Sequence, residues 1–146
     1  MTDADLLKLA ARDAADLEIV SSMLQDALVP LSDIAWLRDE RRFVMAVNRF
    51  RWERAGTRGV PDERVAAGVS FEGVERVQRR GVEAAGRGGF LSLLSVALAD
   101  DAGEDRGAVV LTFAGGAAIR LESASLLCHL EDFGEPWPTQ WRPEHT

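Results

Sequence analysis

Short runs in which apolar and polar residues alternate dominate this sequence after position 30. Phe43, Met45 and Val47 alternate in one such run, and residues 65–71 alternate in the same way. Successive side chains of a β-strand point to opposite faces of its sheet, so a period of two predicts half-buried strands. Most of the chain must therefore pair into an antiparallel sheet with one face toward a core.

The segment VVLTFAGGAAIRLE predicts a hairpin whose register follows from its side chains. A two-residue GG turn would place Leu111 opposite Arg120 and would bring charge into the apolar row. A three-residue AGG loop instead pairs Leu111 with Ile119 and leaves Arg120 on the outer face. We therefore predict the three-residue loop, with Gly116 at a positive φ.

One segment has helical rather than strand periodicity. Apolar residues recur at helical spacing over residues 14–28, and Asp13 stands before them as a candidate N-cap. A carboxylate at that position accepts hydrogen bonds from the backbone N–H groups of the first turn. Pro30 favours an extended conformation in the residue before it, so we expect the helix to end there and its apolar stripe to pack on a sheet.

These elements predict an α+β domain. We expect one N-terminal helix packed on a meandering, strongly curved antiparallel sheet, or a partly open barrel, of about seven or eight strands. Residues 1–134 are expected to form a single globular domain, and residues 135–146 an irregular tail that contains proline and tryptophan. A bulge or strand end is predicted near Asn48 and a kink at Gly73. The predicted strands cover residues 6–10, 33–37, 42–50, 65–77 with the kink at Gly73, 90–98, two runs within 109–122, and 126–131.

The charge distribution limits the classes of partner. The chain has a net charge of −7, with acidic ends and twelve arginines in its middle, residues 38–87. Phosphate neutralisation needs a basic surface, so the total disfavours nucleic acid and leaves weak RNA binding by the middle segment as an alternative. The acidic ends can also pair with the basic middle inside the folded chain, which is the favoured interpretation.

The sequence predicts a cytoplasmic protein without a membrane partner. Its single cysteine, Cys128, cannot form an internal disulfide, and the first residues lack the basic and then apolar pattern of a secretory signal. The longest apolar stretch, residues 90–99, is about half as long as a membrane-spanning helix.

Groups able to carry catalysis are few. Cys128 and His129 are adjacent, but neighbouring side chains on a strand point to opposite faces and cannot form a catalytic pair. One cysteine and two histidines cannot supply the usual zinc ligands, and GRGG and FAGG lack the spacing of phosphate-binding loops. We expect no catalytic residue, metal or cofactor, and the sequence favours a noncatalytic protein over an enzyme.

The segment NRFRWE offers the best candidate for a binding site. Arg49 and Arg51 continue the core-facing row of their strand, whereas Trp52 lies in the opposite phase. Arginine side chains at a strand end can bind a carboxylate or phosphate, an aromatic ring can stack a planar ligand, and Arg80 could join them. The alternative, which we favour, is that both arginines pair with acidic residues of the termini and that Trp52 closes the bottom of the core.

The order of LLKLAARDAADLEIVSSMLQDAL, DIAWLRDERRFVMAVNRFRWE, RVAAGVSFEGVERVQRRG, FAGGAAIRLE and CHLEDFGEPW resembles an uncharacterised bacterial family, a domain of unknown function of about this length. The resemblance covers most of the chain and implies no reaction, cofactor or catalytic residue. The function expected is a small noncatalytic binding or oligomerisation module, with a homo-oligomer or protein partner. The alternatives are a protein that binds or acts on a small anionic ligand, and weak RNA binding.

Overall fold

The computed structural model of the protein describes residues 6–56, 58–59, 61–86, 88–99 and 108–139. These residues form one α-helix and ten β-strands. The α+β class is therefore confirmed, and the strand count is ten rather than seven or eight. The elements are β1 Lys8–Ala11, α1 Ala14–Leu24, β2 Leu28–Pro30, β3 Ile34–Leu37, β4 Arg42–Phe50, β5 Glu63–Phe71, β6 Val74–Arg80, β7 Phe90–Leu98, β8 Val109–Phe113, β9 Ala118–Ser123 and β10 Cys128–Pro138.

All ten strands belong to one antiparallel sheet. The strand order is β1-β10-β5-β4-β2-β7-β8-β9-β6, and β3 forms an additional pair with β4. No pairing joins β1 to β6 among the described residues, so the sheet is not closed into a barrel. Gly73 has a φ of 68° at the sharp connection from β5 to β6, which agrees with the kink predicted there.

The helix begins where the sequence predicts and ends earlier. The side chain of Asp13 accepts a hydrogen bond from the backbone N–H of Asp16, as an N-cap residue should. The helix stops at Leu24 instead of extending to Leu28, because Asp26 adopts a left-handed conformation with a φ of 63°. The residues after this turn form β2, which fits between β4 and β7 and which local alternation did not reveal.

The inward rows of the strands and the buried stripe of α1 form one core. Leu17, Val20 and Leu24 of the helix belong to the same buried cluster as Phe43 and Val69 of the sheet. Helix propensity alone would not hold so short a helix in water, so this burial is what stabilises it. The helix therefore covers the inner face of the sheet and leaves the opposite face exposed.

The hairpin of β8 and β9 has the predicted register. Leu111 lies opposite Ile119, and Val110 lies opposite Arg120. A three-residue turn joins the strands, and Gly116 has a φ of 92°. The sequence determined this register because only one loop length keeps arginine out of the buried row.

One local prediction is confirmed and another is wrong. The bulge or strand end expected near Asn48 is a strand end, because the register between β4 and β5 runs without interruption to Phe50, where β4 ends. Residues 135–138, expected in an irregular tail, instead belong to β10, where Trp137 pairs with Arg64 after a bulge. The rest of the predicted tail, from position 140, lies outside the described residues, as does the acidic loop 100–107.

In the part of the chain that the structure covers, none of the helical segments combines the length and hydrophobicity that crossing a bilayer demands.

Candidate functional site

Arg49 and Arg51 lie at the end of β4 and are almost completely buried. Arg49 extends the inward row of Phe43, Met45 and Val47, and its side chain has no exposed surface. The side chain of Arg51 is 1% exposed. A buried guanidinium group is costly unless carboxylates and hydrogen-bond acceptors surround it, so the partners of these two side chains decide what they can do.

All five N–H groups of the Arg49 guanidinium donate hydrogen bonds. Nε and Nη2 each lie 2.7 Å from an oxygen of Asp132, in the two-pronged geometry typical of strong arginine–carboxylate pairs. Nη1 and Nη2 lie 2.9 and 2.7 Å from the two oxygens of Glu53, and Nη1 also contacts the Phe50 carbonyl oxygen at 3.3 Å. Arg49 therefore has no donor left for a ligand.

Further contacts connect the two arginines to the residue before β1 and to β5. The backbone N–H of Leu7 donates to the Asp132 carboxylate at 2.9 Å, and the Asp132 N–H donates to the Leu7 carbonyl oxygen. Arg51 forms an ion pair of 2.6 Å with Glu63, the first residue of β5. We call this set of side chains the buried arginine cluster: Arg49, Arg51, Glu53, Glu63 and Asp132.

The contacts of Arg49 and Glu53 shift the pKa of each group in the direction that favours its charged form. Burial by itself would lower the pKa of Arg49, but hydrogen bonds to Asp132 and Glu53, together with the negative charges of both, raise that pKa above its ordinary value. Burial by itself would raise the pKa of Glu53, but the hydrogen bond and charge of Arg49 lower it below the usual range. The cluster is therefore a stable set of ion pairs.

Trp52 lies apart from this cluster, on the opposite side of the strand end. Its indole ring packs against Phe50, with ring centroids 4.6 Å apart, and its indole N–H donates to the Gln25 carbonyl oxygen. The guanidinium carbon of Arg64 lies 5.8 Å from the centre of the Phe50 ring on the same side. Trp52 thus covers Phe50 and ties the strand end to the turn after the helix.

Arg80 does not join Arg49 and Arg51. It is exposed on β6, which β2, β7, β8 and β9 separate from β4 in the strand order, and its cross-strand neighbour is Ala118. Of the four candidate site residues, the structure brings together only Arg49 and Arg51. It places both in ion pairs, as the favoured interpretation expects, but only one of their carboxylate partners belongs to a terminal segment. Asp132 is the partner that comes from the C-terminal segment; Glu53 and Glu63 come from the arginine-rich middle.

The match of a family model decides what this chain is related to. The model described as "Protein of unknown function (DUF2948)" covers residues 7–145. The chain belongs to this family. The resemblance to an uncharacterised family of about this length is therefore confirmed. Comparisons with curated proteins and with solved structures gave no match.

The DUF2948 match spans the whole buried arginine cluster and every strand described here. Sequence reasoning missed the three carboxylates of that cluster. A usable signal existed for one of them, because Cys128, Leu130 and Asp132 share one phase of their strand. Asp132 therefore had to face the same core as Arg49, and a buried acid in an apolar row requires a cationic partner.

The outward residues of five strands in this DUF2948 chain form a face that the helix does not cover. His129 lies on it and Cys128 points into the core, so the two point to opposite faces as predicted. A shallow depression of about 440 Å³ lies beside His129, and neither Arg49 nor Arg51 lines it. We call this surface the outer sheet face, and its central and flanking residues are Lys8, Val44, Ala46, Ala66, Gly68, Phe90, Glu131 and Phe133.

Proposed function

We propose that this protein is a noncatalytic module that self-associates through its outer sheet face. The observation that carries the proposal is the chemistry of that face. Ala46, Ala66 and Gly68 give its centre small side chains, while Phe90 and Phe133 stand at two flanks, 62% and 50% exposed. Small apolar residues interspersed with polar ones such as Asn48 and Ser70, and flanked by aromatic rings, are typical of protein interfaces.

The dimensions of the face support contact with a large partner. Phe133 on β10 and Phe90 on β7 are separated by β5, β4 and β2. Adjacent strands are about 4.8 Å apart, so the two rings stand roughly 19 Å from each other across the sheet. Two such rings can contact a second protein surface at the same time, which a small ligand could not do.

Charge favours a second copy as that partner. Copies of a chain with a net charge of −7 repel each other, so a shared interface needs balanced charge. The outer sheet face has that balance, because Lys8 lies directly opposite Glu131 and Arg42 pairs with Glu72. In a two-fold contact, Lys8 of one copy can meet Glu131 of the other.

Light scattering after size-exclusion chromatography tests this proposal. We expect a dimer in the micromolar range and a monomer for the double variant Phe90→Ser/Phe133→Ser. Ile19→Ser is the matched control, because Ile19 is an equally exposed apolar residue, 53% exposed, on the helix. A wild-type monomer at about 100 μM, or a double variant that remains dimeric, contradicts the proposal.

We place the protein in the bacterial cytoplasm, as the family resemblance and the cysteine usage suggest. Cys128 is buried, and burial raises the pKa of its thiol to about 12. Such a thiol is unreactive, as expected for a structural cysteine in a reducing compartment. Cell fractionation with an antibody to the protein checks this location.

The two alternatives have less support. A small anionic ligand at Arg49 would have to displace Asp132 or Glu53, since every donor of that guanidinium is already used. Thermal-shift screening with nucleotides, sugar phosphates and dicarboxylates tests this alternative. RNA binding predicts retention on a filter at low salt and a steep loss of binding as salt rises.

A further inference from the structure

We propose that the outer edge of β6 binds an extended acidic peptide segment, which adds to the sheet as a further strand. β6 is the last strand in the strand order and pairs only with β9 among the described residues. Alternate residues of such an edge strand direct their N–H and C=O groups away from the paired side. Those groups form a template for backbone hydrogen bonds with an incoming strand.

The charge of β6 selects an acidic partner. The strand has the sequence VERVQRR, in which Arg76, Arg79 and Arg80 outnumber Glu75. All three arginines are exposed, and none forms an ion pair with a described residue, whereas Arg49 and Arg51 are enclosed by carboxylates. The whole chain has a net charge of −7, but the positive charge concentrated on β6 attracts acidic segments and repels basic ones.

A cleft at the end of β6 gives this edge a second contact. The cleft has a volume of about 590 Å³ and is lined by Leu31, Ser32, Arg79, Val82, Glu83 and Gly86. Val82 is buried and Leu31 is half-buried, so the base of the cleft is apolar while its rim is polar. An apolar side chain of a bound strand can enter it.

The two sides of β6 define the pattern of the peptide. Arg76 and Arg80 share one side of the strand, and their cross-strand neighbours are Glu122, which forms its ion pair with Arg120, and Ala118. Val77 and Arg79 lie on the other side, opposite the buried Leu121 and Ile119. Side chains of an added strand alternate in the same way. The best partner therefore alternates acidic residues, facing Arg76 and Arg80, with apolar residues that face Val77 and the cleft.

Fluorescence anisotropy with a labelled peptide of four Glu–Val repeats measures this interaction. We expect saturable binding to the wild-type protein and about tenfold weaker binding to the triple variant Arg76→Gln/Arg79→Gln/Arg80→Gln. Arg12→Gln/Arg38→Gln is the control, because both of these arginines are exposed outside β6. Circular dichroism verifies that every variant folds, as expected for substitutions at exposed positions.

Two further probes distinguish strand addition from simple charge attraction. The same peptide with alternate amides N-methylated keeps its charge but cannot form the backbone hydrogen bonds, so we expect its binding to be lost. Hydrogen exchange should show that the unmodified peptide protects β6 amides and leaves those of β4 unchanged.

Three results would overturn the proposal. One is the absence of binding at 1 mM peptide, a concentration at which even weak peptide sites are occupied. Another is equal binding of the methylated and unmodified peptides. The last is tighter binding of an oligouridylate of the same charge, lost in the triple variant, because that result would identify the arginines of β6 as an RNA site.

Discussion

Replacing Asp132 with alanine tests whether the buried arginine cluster is a closed set of charges. The Asp132 carboxylate accepts three hydrogen bonds, two from Arg49 and one from the Leu7 backbone N–H. Its removal leaves two N–H groups of a fully buried guanidinium without an acceptor. Removal of one partner from a buried ion pair costs about 3–5 kcal/mol, because the remaining charge stays buried. The expected loss is a large fraction of the stability of a domain this size.

Urea unfolding followed by tryptophan fluorescence provides the measurement, since the chain has four tryptophans. With a slope of about 2 kcal/mol/M, a loss of about 4 kcal/mol lowers the midpoint by roughly 2 M. Glu135→Ala is the matched control: it removes a carboxylate from the same strand, at a position where the side chain is exposed. That change should cost no more than about 0.5 kcal/mol.

A double variant separates an unpaired charge from lost packing. Arg49→Met/Asp132→Leu removes both charges and restores much of the volume, so it should be more stable than Asp132→Ala alone. The reasoning is refuted if Asp132→Ala costs less than about 1 kcal/mol, or if the double variant is the less stable protein. The first result would mean that water reaches the guanidinium group of Arg49, and the second that this group is more favourable beside Glu53 than absent.

Three further predictions concern pH and backbone geometry. Folding lowers the pKa of Glu53, so its contribution to stability is present above the unfolded pKa and lost as pH falls; urea midpoints between pH 7 and pH 3 should decline less in Glu53→Gln than in wild type. Folding raises the pKa of the Cys128 thiol to about 12, so its contribution to stability is complete below the pKa of the unfolded chain and is lost as pH rises toward 12. Thiol reagents at pH 8 should therefore label this cysteine only after unfolding. Gly89→Ala should be strongly destabilising in thermal melts, because a Cβ there overlaps the carbonyl group of Ala85, whereas Gly88→Ala, with open space around it, should change the melting temperature little; equal effects of the two substitutions would contradict this geometry.

Local patterns determined much of the fold. The hairpin register at Leu111 and Ile119 follows from two neighbouring runs and one loop, all within 14 residues of sequence, and the structure has that register. The start of the helix at Asp13 is equally local. The end of the helix could not be read in this way, because helical spacing continues past Asp26, where the backbone turns to the left-handed region.

The candidate site depended on contacts that are distant in sequence. Arg49 and Asp132 are 83 positions apart, and no local pattern states that β10 lies close enough for them to meet. The phases of the two strands were readable, and they placed both residues toward the core. The order of the strands in the sheet could not be predicted from local patterns. The local sequence therefore did not distinguish an Arg49 that faces a ligand from an Arg49 that faces Asp132.

The position of β10 in the strand order has a consequence for synthesis of the protein. β10 is the last strand of the described chain, yet it lies between β1 and β5. A ribosome-bound chain that lacks it has two strands with unsatisfied edges and an arginine without its main counterion. Folding of this half must wait until the C-terminal strand emerges, so early termination should yield aggregation-prone products and not a smaller folded domain.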